Sequence, residues 1–96
     1  MSNLKVFKYP VDVDDFLTVP MPLGAELLTV QMQGPHGDTP CVWAIVDPAA
    51  PMVVRRFAWR GTGHDLGIAC SLGNYVGTVQ AHGGRLVFHL FDLGCE

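Results

Sequence analysis

Turn-forming residues return along this chain at roughly 8–12-residue intervals, and the apolar residues between them alternate with the period of a strand. Glycine and proline supply 11 and 7 of the 96 residues. Such punctuation leaves room for short strands and no convincing helix. The expected fold is all-β, a compact sandwich or small barrel of about seven short antiparallel strands in one domain, residues 1–96.

Taken in order, Leu4 to Tyr9 reads as a first strand, placed at a sheet edge by Pro10, which cannot donate to a ladder. Asp12-Val13-Asp14-Asp15 is a turn whose carboxylates match no EF-hand spacing. Phe16 to Val19 is a short strand, and Pro20-Met21-Pro22-Leu23-Gly24 a stiff bend. Ala25 to Gln33 follows as a strand with Glu26, Leu28, Val30 and Met32 on one face; Thr29 and Val30 favour strand over helix. Gly34 to Pro40 is a loop, with His36 exposed. Cys41 to Val46 is apolar on both faces, as a central strand of a sandwich or a strand at a subunit interface would be. After the turn at Asp47–Pro51, Met52 to Arg60 is a strand with Val53, Arg55, Phe57 and Trp59 on one face and Val54, Arg56, Ala58 and Arg60 on the other. An irregular loop runs through Leu72-Gly73-Asn74. Tyr75 to His82 and Arg85 to Phe91 form a hairpin about a Gly83-Gly84 turn.

The chain is 49% hydrophobic and only 16% charged, where about a quarter is usual. Too few charges are available to cover a small globule, so part of the apolar surface is expected to be buried in a homo-oligomer. The net charge of −3 argues against a nucleic-acid polymer as partner, though clustered arginines still create a local site for a small anion. Met1 to Lys5 lacks the apolar core of a signal peptide, and the charge-free run from Leu66 to Gly84 is too broken to span a membrane. Cys41, Cys70 and Cys95 are odd in number and widely spaced, which fits reduced thiols and a cytoplasmic protein. No pair has zinc-ligand spacing, and nothing calls for a cofactor.

The densest chemistry lies in Arg55-Arg56-Phe57-Ala58-Trp59-Arg60-Gly61-Thr62-Gly63-His64-Asp65, which holds three of the six lysines and arginines. Arginine forks match phosphate oxygens, an indole face stacks on a ring, and glycines let backbone N–H groups approach an anion. Strand alternation splits the set, with Arg56, Arg60 and Thr62 on one face and Arg55, Phe57 and Trp59 on the other. A pocket here therefore needs a second strand or a second subunit. The expected ligand-binding residues are Arg56, Trp59, Arg60, Thr62, Gly63, His64, Tyr75 and His89. The plain alternative is an amphipathic strand with surface arginines and a core Trp59, and a His89 that is hydrogen-bonded in the core or an interface. No Ser or Cys sits in a nucleophile elbow, so no catalytic residue is assigned.

Lys8-Tyr9-Pro10, Met21-Pro22-x-Gly24-Ala25, Leu28-x-Val30-Gln31, Trp43-Ala44-x-Val46-Asp47-Pro48, Gly61-Thr62-Gly63-His64 and Tyr75-Val76-Gly77-Thr78-Val79-Gln80 occur in this order along nearly the whole chain. In combination they resemble a family of small phage and prophage proteins that form a domain of unknown function. The chain departs from that family between His64 and Tyr75, where members are more polar and carry proline. The resemblance implies no activity of its own. Its phage context implies a binding role, by analogy with small oligomeric phage proteins that sequester nucleotide signals of bacterial immunity, such as cyclic ADP-ribose isomers and cyclic dinucleotides.

The leading expectation is therefore an anti-defence sponge in the host cytosol, which binds a phosphorylated nucleotide ligand without turning it over. The alternative is a protein–protein interaction or inhibitor module of a phage. A cyclic-nucleotide phosphodiesterase using His64 and His89 is the third possibility.

Overall fold

In a computed structural model, which describes residues 3–66 and 73–95, the chain forms two antiparallel sheets. The strands are β1 (Lys5–Pro10), β2 (Phe16–Pro22), β3 (Glu26–Gln33), β4 (Thr39–Val46), β5 (Met52–Gly61), β6 (Asn74–Ala81) and β7 (Leu86–Cys95). The three-stranded sheet has the order β1-β4-β3 and the four-stranded sheet the order β2-β5-β7-β6. Neither closes into a barrel, so of the two expected all-β architectures the sandwich is the one formed. No helix among the described residues is long and apolar enough to cross a membrane.

The core lies between the sheets. Val42, Ala44 and Val46 of β4 face Phe57 and Trp59 of β5, Leu90 of β7 and Met21 of β2, all of them buried. The strand expected to be apolar on both faces is β4, the middle of the three-stranded sheet. Its other face carries Trp43 and Ile45, both half-buried. The bend expected at Pro20–Gly24 is shorter than the sequence implied, because β2 runs on through Pro20 and Pro22. At the odd-numbered positions flanking this strand, the Leu23 amide donates to the Pro51 carbonyl and the Asp15 carbonyl accepts from the Trp59 amide. Both prolines thus fall on the even positions, whose amides face away from β5, where a missing N–H costs nothing.

Bulges account for the other departures. In β3 the register against β4 shifts between Leu27 and Thr29. The shift takes Leu28 out of the face it was expected to share with Val30, and it emerges exposed. In β7 an extra residue, Leu93, separates the Phe57–Asp92 and Arg56–Gly94 pairs. The last hairpin turns one residue earlier than expected, since His82, Gly83 and Gly84 take positive φ of 52°, 67° and 89° in succession. The loop expected through Leu72 falls in part, and Cys70 entirely, outside the described residues.

Two contacts hold the sheets in their relative position. Arg55, on the inner face of β5, makes a bidentate pair with Asp92 of β7, Nε to Oδ1 at 2.9 Å and Nη2 to Oδ2 at 2.6 Å. Its Nη1 donates to the Ala25 carbonyl at the start of β3, across the sandwich, at 2.9 Å. Asp92 Oδ1 also accepts from the Gly94 amide inside the β7 bulge at 2.9 Å. The side chains are 14% and 8% exposed, so the pair is largely desolvated, yet each guanidinium nitrogen and each carboxylate oxygen has a hydrogen-bond partner. The bond to Asp92 raises the Arg55 pKa above its ordinary value. At the opposite contact, β6 crosses β3 so closely that a Cβ on Gly77 would lie 2.8 Å from Val30 Cγ1.

Each contact makes a stability prediction, read from the denaturant midpoint. Asp92→Ala leaves a buried guanidinium without its carboxylate and is expected to cost about 3–5 kcal/mol. Gly77→Ala should cost about 1–3 kcal/mol by overpacking, and adding Val30→Ala should recover part of that loss relative to the sum of the two single changes.

Candidate functional site

The expected ligand-binding residues fall into two groups separated by the four-stranded sheet. On its outer face the ladder registers line residues up in rows that cross the strands. One row runs Phe16 (β2), Ala58 (β5), Phe91 (β7) and Tyr75 (β6). The next runs Arg60 (β5), His89 (β7) and Thr78 (β6). Directly opposed side chains in an antiparallel sheet approach within contact distance, so each row is a physical neighbourhood. The first is aromatic with a small residue in the middle, and the second is basic and hydroxyl-bearing.

The polar row is joined by hydrogen bonds. His89 Nε2 shares one with Thr62 Oγ1 at 2.7 Å, and His89 Nδ1 shares another with Thr78 Oγ1 at 2.9 Å. Thr78 Oγ1 in turn meets the Tyr75 hydroxyl at 2.6 Å. A neutral imidazole donates from one nitrogen and accepts at the other, and each hydroxyl can do either, so the chain Thr62–His89–Thr78–Tyr75 is satisfied in both proton directions. The expected hydrogen-bonded His89 is found, on the outer face of the sheet rather than in the core.

The aromatic row is equally ordered. Tyr75 and Phe91 meet edge to face with ring centroids 6.0 Å apart. Arg60 lays its guanidinium over the Phe16 ring, 4.9 Å from the centroid, while its Nη1 donates to the carbonyls of Asp15 and Trp59 at 3.1 and 2.7 Å. Ala58 points outward yet is completely buried. Arg56 lies on the same face, paired across the ladders with Thr18 and Gly94. Four residues further along the strand, Arg56 stands about 13 Å from Arg60, too far for the two to fork one phosphate from above. Among the described residues, no strand position on this face is acidic.

The second group lies at the end of the sandwich. Trp59 is buried in the core, with its indole Nε1 donating to the Asp12 carbonyl at 2.8 Å and its ring edge-on to Phe88 at 6.2 Å. The Gly61-Thr62-Gly63-His64 turn, closed by the His64 amide on the Gly61 carbonyl, folds the imidazole back over Gly61. A Cβ there would lie 2.7 Å from His64 Nδ1, so this close approach requires glycine. His64 then faces a cavity of about 570 Å³ whose other walls include Asp14, Asp15, Asp65, Trp59, Phe88 and the edge of Arg60, which the cavity shares with the outer face. Three carboxylates make it a poor place for an anion. Among the described residues, no group of three His, Cys, Asp or Glu is placed to hold a metal ion.

The structure thus brings Arg56, Arg60, Thr62, Tyr75 and His89 onto one face and sends Trp59 and His64 elsewhere. Gly63 shapes the turn between them. Sequence reasoning missed Phe16, Phe91 and Thr78. Phe91 and Thr78 lie on the two strands of the expected hairpin, but the pairing of β7 with β5, which sets that hairpin beside Ala58 and Arg60, was not foreseen.

Comparison with known proteins adds a family and no activity. No curated protein and no solved structure matches the chain. A family model described as a domain of unknown function, DUF7352, matches residues 2–95. With nearly its whole length matched, the chain belongs to the DUF7352 family.

Proposed function

We propose that the outer face of the four-stranded sheet binds a phosphorylated, ring-bearing small molecule and holds it without turnover. The observation that carries this reading is the juxtaposition of the two rows. Phe16, Phe91 and Tyr75 offer ring surfaces, and one row away Arg60, His89, Thr78 and Thr62 offer a cation, an imidazole and hydroxyls. A nucleotide-like ligand would stack its ring on the aromatic row and set a phosphate against Arg60, whose Nε and Nη2 supply the fork. Arg56, one reach along the same face, suits a second phosphate.

Binding is favoured over cleavage because His89 faces Arg60 and Thr78 across the ladders and Val87 and Phe91 along its own strand. None of these is a carboxylate that would orient the imidazole as a general base. In its full form the reading is a phage-type sponge for a cyclic ADP-ribose isomer or a cyclic dinucleotide, acting in the cytosol of the infected cell. That part rests on the family resemblance in the sequence. A second reading, a face for a protein partner, draws on the breadth of the platform, which spans four strands.

Titration calorimetry with cyclic ADP-ribose isomers and cyclic dinucleotides, followed by heating and chromatography of the released ligand, tests the proposal. The expected result is micromolar or tighter binding to at least one of them, with the ligand recovered intact. Arg60→Ala should weaken binding about 10- to 100-fold, the loss of one charged hydrogen-bond set, while Lys5→Ala on β1 of the other sheet leaves it unchanged. Absence of binding at micromolar ligand sinks the reading, and recovery of a cleaved ligand replaces it with a hydrolase. A protein partner captured equally well by the Arg56→Ala, Arg60→Ala double variant would favour the second reading.

A further inference from the structure

The two sheets present four edge strands, β1, β3, β2 and β6, and an edge strand is a template for pairing unless something blocks it. Three are blocked. On β2 the outward-facing amides fall at even positions, two of which are Pro20 and Pro22, so that edge lacks two donors. β3 and β6 each carry a register shift and lie against one another where Gly77 meets Val30. The remaining edge is β1.

Which of its groups face outward follows from one bond. The Val11 amide donates to the Pro40 carbonyl at 3.0 Å, continuing the β1–β4 register in which Lys5 pairs with Val46 and Tyr9 with Val42. Odd positions therefore spend their N–H and C=O groups on β4. The even positions Val6 and Lys8 direct theirs to the open edge, and Pro10, the last even position, offers it a carbonyl but no donor. The side chains around this edge are apolar and exposed: Leu4 by 64%, Val6 by 57% and Phe7 by 38%. Lysines on an edge ordinarily deter pairing, so their placement decides whether a second strand is tolerated.

We infer that β1 pairs antiparallel with β1 of a second copy of this chain, across a two-fold axis at Phe7, joining two three-stranded sheets into one. In this register Phe7 lies opposite Phe7 of the second copy, in the non-hydrogen-bonded position where side chains approach most closely. Val6 and Lys8 then exchange both backbone bonds with Lys8 and Val6 of the second copy, and Lys5 sits opposite Tyr9. No lysine faces a lysine, and both strands contribute the same apolar residues, as an isologous contact requires. No carboxylate lies on β1 to match the lysines of a copy, so apolar contact and backbone bonds hold the pair.

Sedimentation equilibrium over a concentration series and amide hydrogen exchange of the full chain test this together. The expected result is twice the chain mass at about 100 μM, with the Val6 and Lys8 amides exchanging more slowly as concentration rises. Val6→Pro removes one outward donor and leaves the β4 ladder intact, so it should sediment as a monomer with β4 amides still protected. A wild-type chain that stays monomeric overturns the inference. So does a dimer whose Val6 and Lys8 amides exchange at the same rate at every concentration, including one held by the ligand-binding face or by a foreign strand. The wild-type exchange experiment decides the matter even if Val6→Pro does not fold.

Discussion

The Arg55–Asp92 pair is the constraint on which the arrangement of the two sheets depends. Placing a guanidinium on the inner face of β5 would be costly if it had one partner only. Here the fork is met by both carboxylate oxygens and by the Ala25 carbonyl of the opposite sheet, and the same carboxylate accepts from the Gly94 amide. The pair therefore fixes three things together: the alignment of β5 with β7, the bulge at Leu93, and the approach of β3. A buried pair of this kind gives little net stability compared with apolar replacement, but losing one partner is costly, which makes it a device for specifying one packing.

That specification has a consequence on the far side of the sheet. With Arg55 committed to the interior, alternation puts Arg56, Ala58 and Arg60 outside, and the bulge sets the register in which Ala58 meets Phe91 and Arg60 meets His89. A one-residue slip of β7 would turn its whole set of side chains over. The aromatic row and the polar row exist because the register is held from within. Structural and proposed functional residues thus occupy opposite faces of one strand, and the fold links them through β5 and β7 rather than through a shared pocket.

Much of this was legible in the sequence. The spacing of turn residues identified the all-β class, and the double-sided apolarity of Cys41–Val46 marked the central strand. Alternation along Met52–Arg60 separated Arg55 from Arg56 and Arg60. What escaped was non-local. Bulges at Leu28 and Leu93 insert a residue against a partner strand and leave no mark in the local pattern. Phe16 and Phe91 looked like ordinary apolar residues of two strands far apart in sequence, and only the order β2-β5-β7-β6 sets them either side of Ala58. Trp59 and His64 were joined to the arginines by proximity along the chain, whereas the turn after Gly61 carries His64 to an acid-lined cavity and the core takes Trp59.

The central claim is that the outer face of the four-stranded sheet, rather than the cavity at the end of the sandwich, is the ligand surface. Backbone-amide NMR shifts recorded during titration with a cyclic dinucleotide or a cyclic ADP-ribose isomer test it most directly. The account predicts that the largest shifts cluster at Phe16, Ala58, Tyr75, Thr78, His89 and Phe91. Shifts concentrated instead at Val13, Asp14, Asp15, His64 and Asp65 would contradict it.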